Sequence, residues 1–222
     1  MIEKNPEKRI LLFAGLTMAA SELIKQLLLT ASSGGVYQWW YLPWQLCSIP
    51  MYVCITAGLC SSVRIYEACL SFLSCFGMLA GAGAFLDTTG FRYELDILTV
   101  HSYVWHIVLI ITGIYAWHIR SRRREFRYSF RGGLSIYLLG CIAAEIINLT
   151  AYKAGFRPIN MFYISPKYQM DQVCIRDLVP FIGNIPAIIL YVFVTGLGAF
   201  IIDRIGRKIS RVTGRVTGDG SA

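Results

Sequence analysis

His101 and Cys47 are the residues best suited to reaction chemistry in this sequence. An imidazole beside a thiol gives a base and a nucleophile, because the ring withdraws the thiol proton. Glu145 or Asp96 could orient that imidazole, and Gln45, Asn148 or Asn184 could donate hydrogen bonds to a developing oxyanion. The same groups have a plainer use as a hydrogen-bonded network that packs the fold, and the residues alone leave both readings open. His106, five positions after His101, lies about 140° further round a helix and cannot share its face. It reads as a packed residue bonded across helices, and His118, beside Arg120, as an interfacial one. Glu22 and Lys25, three apart, form either a neutralised structural pair or a proton or ion pathway. The seven cysteines include no CxxC pair. No zinc-type ligand spacing, P-loop, nucleophile elbow or dinucleotide fingerprint is present, so neither a metal nor a cofactor is expected.

The elements that must position these groups follow from composition. Hydrophobic residues make up 55% of the 222 positions and charged residues 15%. A soluble domain carries about 25% charged residues. Mean hydropathy is +0.53, and aromatic residues reach 14%, which suits membrane interfaces. A bilayer core of about 30 Å takes about 20 apolar residues as a helix. Windows of that kind fall at 10–31, 42–60, 68–86, 95–119, 134–151 and 178–202. The expected fold is therefore an all-α, six-helix transmembrane bundle at 10–202, between a tail at 1–9 and a basic tail at 203–222.

The formal net charge of +8 then needs a reading. With the N-terminus inside, only Arg92, Lys153, Arg157, Lys167 and Arg176 fall outside, and Lys25 lies within the first span. The other 15 of the 21 basic residues fall inside. That excess is the positive-inside pattern and predicts both termini in the cytoplasm. It also removes nucleic acid as a partner, since the densest run, Arg120 to Arg131, is a short loop between two apolar helices. Membrane lipids are the expected partners. In the run Gly77 to Phe85 (GMLAGAGAF), small residues allow close helix approach, for intramolecular packing first and a homo-oligomer second. Without an internal repeat, a small transporter using Glu22, Lys25 and Glu145 is the weaker reading.

Depth sharpens the picture, because polar groups inside a span normally face a cavity or a partner. Gln45, Cys47 and Ser48 begin the second span. His101 lies about 10 Å into the fourth. Glu145 and Asn148 come within two turns of the end of the fifth, and Asn184 nearly two turns into the sixth. Four spans thus bring polar groups to a similar depth below the outer face. The external stretch from Tyr152 to Asp177 is long enough to fold back as a lid, with 159–167 returning to the membrane.

Three stretches carry a resemblance: YLPWQLCSIPMYV at 41–53, FLDTTGFRYELDILTVHSYVWH at 85–106 and NLTAYKAGFRPINMFYISPK at 148–167. In the order and spacing of Pro43, Cys47, His101, Asn148 and Asn160-Met161, the chain resembles the bacterial YwaF family of integral membrane proteins. That family is similar to the animal transmembrane protein 164 family. The resemblance implies a six-helix membrane protein. The animal relatives are described as acyltransferases that remodel phospholipids, similar in fold to androgen-induced membrane hydrolases with a nucleophile and a histidine. It therefore implies an enzyme of lipid acyl esters in the cell membrane, with His101 as base, Cys47 as nucleophile, and Gln45, Glu145, Asn148, Asn160 and Asn184 as binding or supporting groups. A non-enzymatic protein that holds a lipid or contacts a partner is the alternative.

Overall fold

Apolar runs bounded by caps and prolines become helices here, and the exceptions lie where prolines interrupt the run. The computed structural model describes residues 5–122 and 130–216, with side chains to residue 210. Lys4, Arg123, Arg124 and Arg127 of the expected inner basic set lie outside the described residues, as do the side chains of Arg211 and Arg215. Helix α1 (Pro6–Ser32) starts with Pro6 in its first turn, and the Asn5 side chain accepts the Glu7 amide at 3.0 Å. Both are standard ways to satisfy a helix start. Helix α2 (Ile49–Leu59) follows. Helix α3 (Val63–Leu86) contains a π-helical turn at Leu73–Gly77. Helices α4 (Asp96–Arg122), α5 (Phe130–Lys153) and α6 (Asn184–Val216) complete the bundle. Among the described residues there is no strand.

Among the described residues, five helices are long and apolar enough to cross a membrane: α1, α3, α4, α5 and the Asn184–Ser210 part of α6. The window at 42–60 differs from expectation. Only 11 of its residues are helical, about 16 Å of rise against a core of about 30 Å. Pro43 and Pro50 explain the break. Each lacks a donor, and Pro50 fits only the first turn of α2, so 42–48 stays unwound. The window at 178–202 also changes, because Gly183 at φ 84° separates a short turn at Val179–Ile182 from α6.

Helices α1 and α2 run antiparallel through two close approaches. A Cβ on Gly58 would stand 2.5 Å from Leu12 Cβ, and one on Gly15 2.8 Å from Ile55 Cγ1. Lys8 Nζ donates to the Cys60 carbonyl at 3.0 Å, so α2 ends at the level where α1 begins. Gly81, in the small-residue run, lies against the backbone of α4 at His106, where a Cβ would be 2.9 Å from the carbonyl oxygen. This run packs α3 on α4 within one chain.

The core lies between α3, α5 and the segment after α5. Phe72 stacks on Phe76 and Phe76 on Tyr137, at centroid separations of 5.5 and 4.7 Å. Within the same π-turn, Ser74 accepts from Arg120 at 2.6 Å, and Arg120 also donates to Asp203 at 3.0 Å. Arg207 also pairs with Asp203, at 2.7 Å. The sequence places Arg120 at the start of a basic loop and Asp203 at the start of the basic tail. In the fold Arg120 and Asp203 are 4% and 3% exposed and join α4, α6 and the π-turn.

Candidate active site

The segment after α5 folds back into the bundle. Ile159 to Phe162, Ile164 and Ser165 are buried. The Phe162 ring lies against Gly140, where a Cβ would meet it at 3.1 Å. Gly140 is 13 residues before the end of α5, so the ring reaches about 20 Å down that helix. Phe162 and Tyr163 both take positive φ, 57° and 58°, a conformation that costs a non-glycine residue about 1–3 kcal/mol. Irregular backbone at this depth has no water to satisfy it, so the protein must provide each donor and acceptor.

Four amide side chains do so. Asn148 accepts the Met161 N–H at 2.6 Å and donates to the Met161 carbonyl at 3.1 Å. Gln45 reaches across from the unwound 42–48 segment, accepting the Phe162 N–H at 2.7 Å and donating to the Asn160 carbonyl at 3.1 Å. Asn160 Oδ1 accepts the Ser165 N–H at 2.9 Å. Asn184, at the start of α6, accepts the Met170 N–H at 2.7 Å and donates to the Tyr168 carbonyl at 2.8 Å. A carboxamide presents one acceptor and two donors, the complement of a peptide edge. Glu145 joins this group only through a long contact, 3.5 Å from the Asn148 amide nitrogen. The network reading thus accounts for the contacts of Gln45, Asn148, Asn160 and Asn184, and their polar atoms face the loop backbone.

His101 stands apart from these clamps. Its Nε2 is 2.8 Å from Ser21 Oγ of α1, and its Nδ1 is buried without a partner. Its ring lies 5.6 Å from that of Trp105, one turn further along α4. The Trp105 indole N–H donates to the Cys47 carbonyl at 3.0 Å. Trp105 thus contacts both residues, and no hydrogen bond joins the Cys47 thiol to the imidazole. Asp96 is exposed at the start of α4 and makes no bond to His101. Beside Ser21, the buried Glu22 pairs with Lys25 at 2.8 Å and accepts from Gln26 at 2.6 Å. Gln26 also donates to the Tyr41 carbonyl at 2.6 Å, fixing the loop above the pair. Both His101 and Cys47 lie within the field of Glu22 and Lys25.

His106 is taken up structurally. Its Nδ1 meets the Ser102 carbonyl at 2.8 Å and its ring stacks on Phe91 at 4.4 Å. Ser21 is the residue that sequence reasoning missed. A serine in an apolar helix is usually a packing residue, but three polar side chains at 21, 22 and 25 within about one turn were the available signal. Among the described residues, no group of three or more His, Cys, Asp or Glu could hold a metal ion.

Apolar helices of spanning length, with irregular backbone satisfied from within, define a multi-pass membrane protein of the all-helical class. The chain belongs to the TMEM164 family, which it matches over residues 2–203. No curated protein and no solved structure gives a match.

Proposed function

We propose that this protein is an integral membrane enzyme of lipid acyl esters, a hydrolase or acyltransferase, with His101 as its base. The hydrogen bond of 2.8 Å between His101 and Ser21 carries the reading. Base and hydroxyl already stand at the separation that proton transfer needs. As Ser21 Oγ adds to the ester carbonyl, its proton passes to His101 Nε2. Collapse of the tetrahedral adduct expels the alcohol, which takes that proton and leaves an acyl-serine. Water, or the hydroxyl of an acceptor lipid, then adds to the acyl carbon. His101 takes the proton of that nucleophile and returns it to Ser21 Oγ as the product leaves. The buried Glu22–Lys25 pair carries no net charge into this apolar setting.

Cys47 is the second candidate nucleophile, because Trp105 bonds its carbonyl at 3.0 Å and also lies against the His101 ring, at 5.6 Å. The topology that accompanies this reading has six crossings, with both termini cytoplasmic in the cell membrane. The second crossing combines the unwound 33–48 segment with α2. Its support is the return of α2 to the level of Lys8 and the side-to-side bias of the basic residues.

The test uses the full-length chain in maltoside micelles, with a long-chain alkyl fluorophosphonate and with a radiolabelled palmitoyl ester as acyl donor. We expect fluorophosphonate labelling that disappears in Ser21→Ala and His101→Ala and survives in Cys47→Ala. An acyl adduct that resists neutral hydroxylamine is an oxyester on Ser21. One that neutral hydroxylamine cleaves is a thioester and transfers the role to Cys47. Absence of both labelling and ester turnover in the folded wild type refutes the enzymatic reading and favours a protein that only holds lipid.

A further inference from the structure

Two cations flank the folded-back segment where it enters and leaves the bundle, both within reach of one aromatic ring. Arg157 precedes the buried residues 159–165 and Lys167 follows them, and both are exposed. The Arg157 guanidinium carbon lies 4.1 Å from the centroid of Tyr152, and Lys167 Nζ lies 5.3 Å from the same ring. A third cation, Lys153, is next in sequence to Tyr152 and is also exposed. Among the described residues, none of the three forms an ion pair with a carboxylate. The ring holds the two cations by cation–π attraction, yet their mutual repulsion stays uncompensated. A planar guanidinium fork and an ammonium point charge, tethered to the same ring, are the two side-chain types that recognise phosphate. Just beside it, exposed Phe156 packs on exposed Trp39 at 4.7 Å. Aromatic surface of this kind suits the boundary between head groups and acyl chains.

We infer that Arg157 and Lys167, held on Tyr152, bind the phosphate of a lipid head group, with the Trp39–Phe156 pair under its glycerol and proximal acyl carbons. This deepens the lipid-ester reading by naming a head-group chemistry. Equilibrium binding without turnover tests it, so its failure leaves the labelling experiment untouched. The probes are 1-palmitoylglycerol 3-phosphate, 1-palmitoylglycerol and glycerol 3-phosphate, titrated against the full-length protein in maltoside micelles by thermophoresis.

The wild type is expected to bind the lipid phosphate about tenfold tighter than the phosphate-free lipid, the size of one charge-assisted contact. In the double variant R157Q/K167Q that ratio falls to about one, with phosphate-free binding and the melting temperature unchanged. R157K/K167R keeps most of the discrimination. Equal binding of the two lipids by the wild type, or discrimination that survives in R157Q/K167Q, overturns the site. Glycerol 3-phosphate binding as tightly as the lipid phosphate overturns the lipid assignment, because the anion recognised is then a soluble one.

Discussion

Asn148→Ala tests whether the amide clamps hold the folded-back segment. Asn148 is 0% exposed, and its side chain meets both polar groups of one peptide, at 2.6 and 3.1 Å. Truncation leaves the Met161 N–H buried without a partner, while the Met161 carbonyl keeps the Ile164 amide at 3.4 Å. An unsatisfied buried group costs about 1–3 kcal/mol, which sets the predicted loss. For a chain of this length 1 kcal/mol moves the melting temperature by about 2–4 °C, which gives a fall of about 2–12 °C. The assay is thermal unfolding in maltoside micelles with a thiol-reactive fluorogenic dye, since Cys54, Cys69, Cys75 and Cys141 are buried reporters. Glu145→Gln is the control. Its contact with Asn148 is 3.5 Å long, so the variant should unfold like the wild type. Gln45→Ala should destabilise similarly alone but add little to Asn148→Ala, because both release the same segment and their effects couple. A fall of less than about 2 °C in Asn148→Ala, or strict additivity with Gln45→Ala, would refute the reasoning.

Two further predictions concern charges. Asp203→Ala leaves Arg120 and Arg207 without their shared carboxylate in a buried setting and should cost about 3–5 kcal/mol. The apolar pair Arg120→Met with Asp203→Leu should recover much of that in the same unfolding assay, and failure to do so would show that the pair does more than hold the helices together. The second lies in the loop after α3, where the Asp87 carboxyl is held below the usual carboxylate range. The Thr89 hydroxyl is the largest cause, followed by the Thr89 amide, with the Arg176 guanidinium also contributing. A depressed carboxylate stabilises the fold above its unfolded pKa, and that contribution is lost as pH falls through the lower folded value. The Asp87–Arg176 tie should therefore persist to a pH below the ordinary carboxylate range. Thr89→Val should move the loss to higher pH, read as hydrogen exchange in 87–92, and an unmoved midpoint would remove Thr89 as the cause.

Much of the scaffold was legible because apolar runs and charge placement follow from the solvent. The runs that became α1, α3, α4 and α5 were clear as windows of spanning length. The second window misled because hydropathy reports that residues are apolar, not that they are helical. Pro43 and Pro50 were the visible warning. The sequence placed polar groups of four spans at one depth, but not their partners: Gln45 and Asn148 hold residues 160–162, Asn184 holds 168 and 170, and His101 meets Ser21. An amide's partner there is a peptide group distant in sequence, and periodicity carries no such information. The buried Arg120–Asp203 pair was missed for a similar reason. Each residue alone looks like an ordinary helix-end charge, and only the π-turn of α3 brings Ser74 within reach of Arg120.

The chemical type of each buried polar group separates scaffold from candidate chemistry here. Amides cannot titrate at physiological pH, and they offer a donor and an acceptor on one rigid plane. They are suited to satisfy irregular backbone permanently, and Gln45, Asn148 and Asn184 each bind both faces of a turn. An imidazole is poorly suited to that task, because one ring nitrogen changes role with its protonation state. His106 nevertheless makes a backbone bond and a ring stack. His101 makes no backbone bond and only a tilted contact with Trp105: one nitrogen meets a hydroxyl, and the other is buried with nothing to bond. A buried nitrogen left unsatisfied costs free energy that a purely structural residue would avoid. That cost is understandable if a substrate group or its water completes the site, which is why His101 and Ser21, rather than the more numerous amides, are where the search for chemistry belongs.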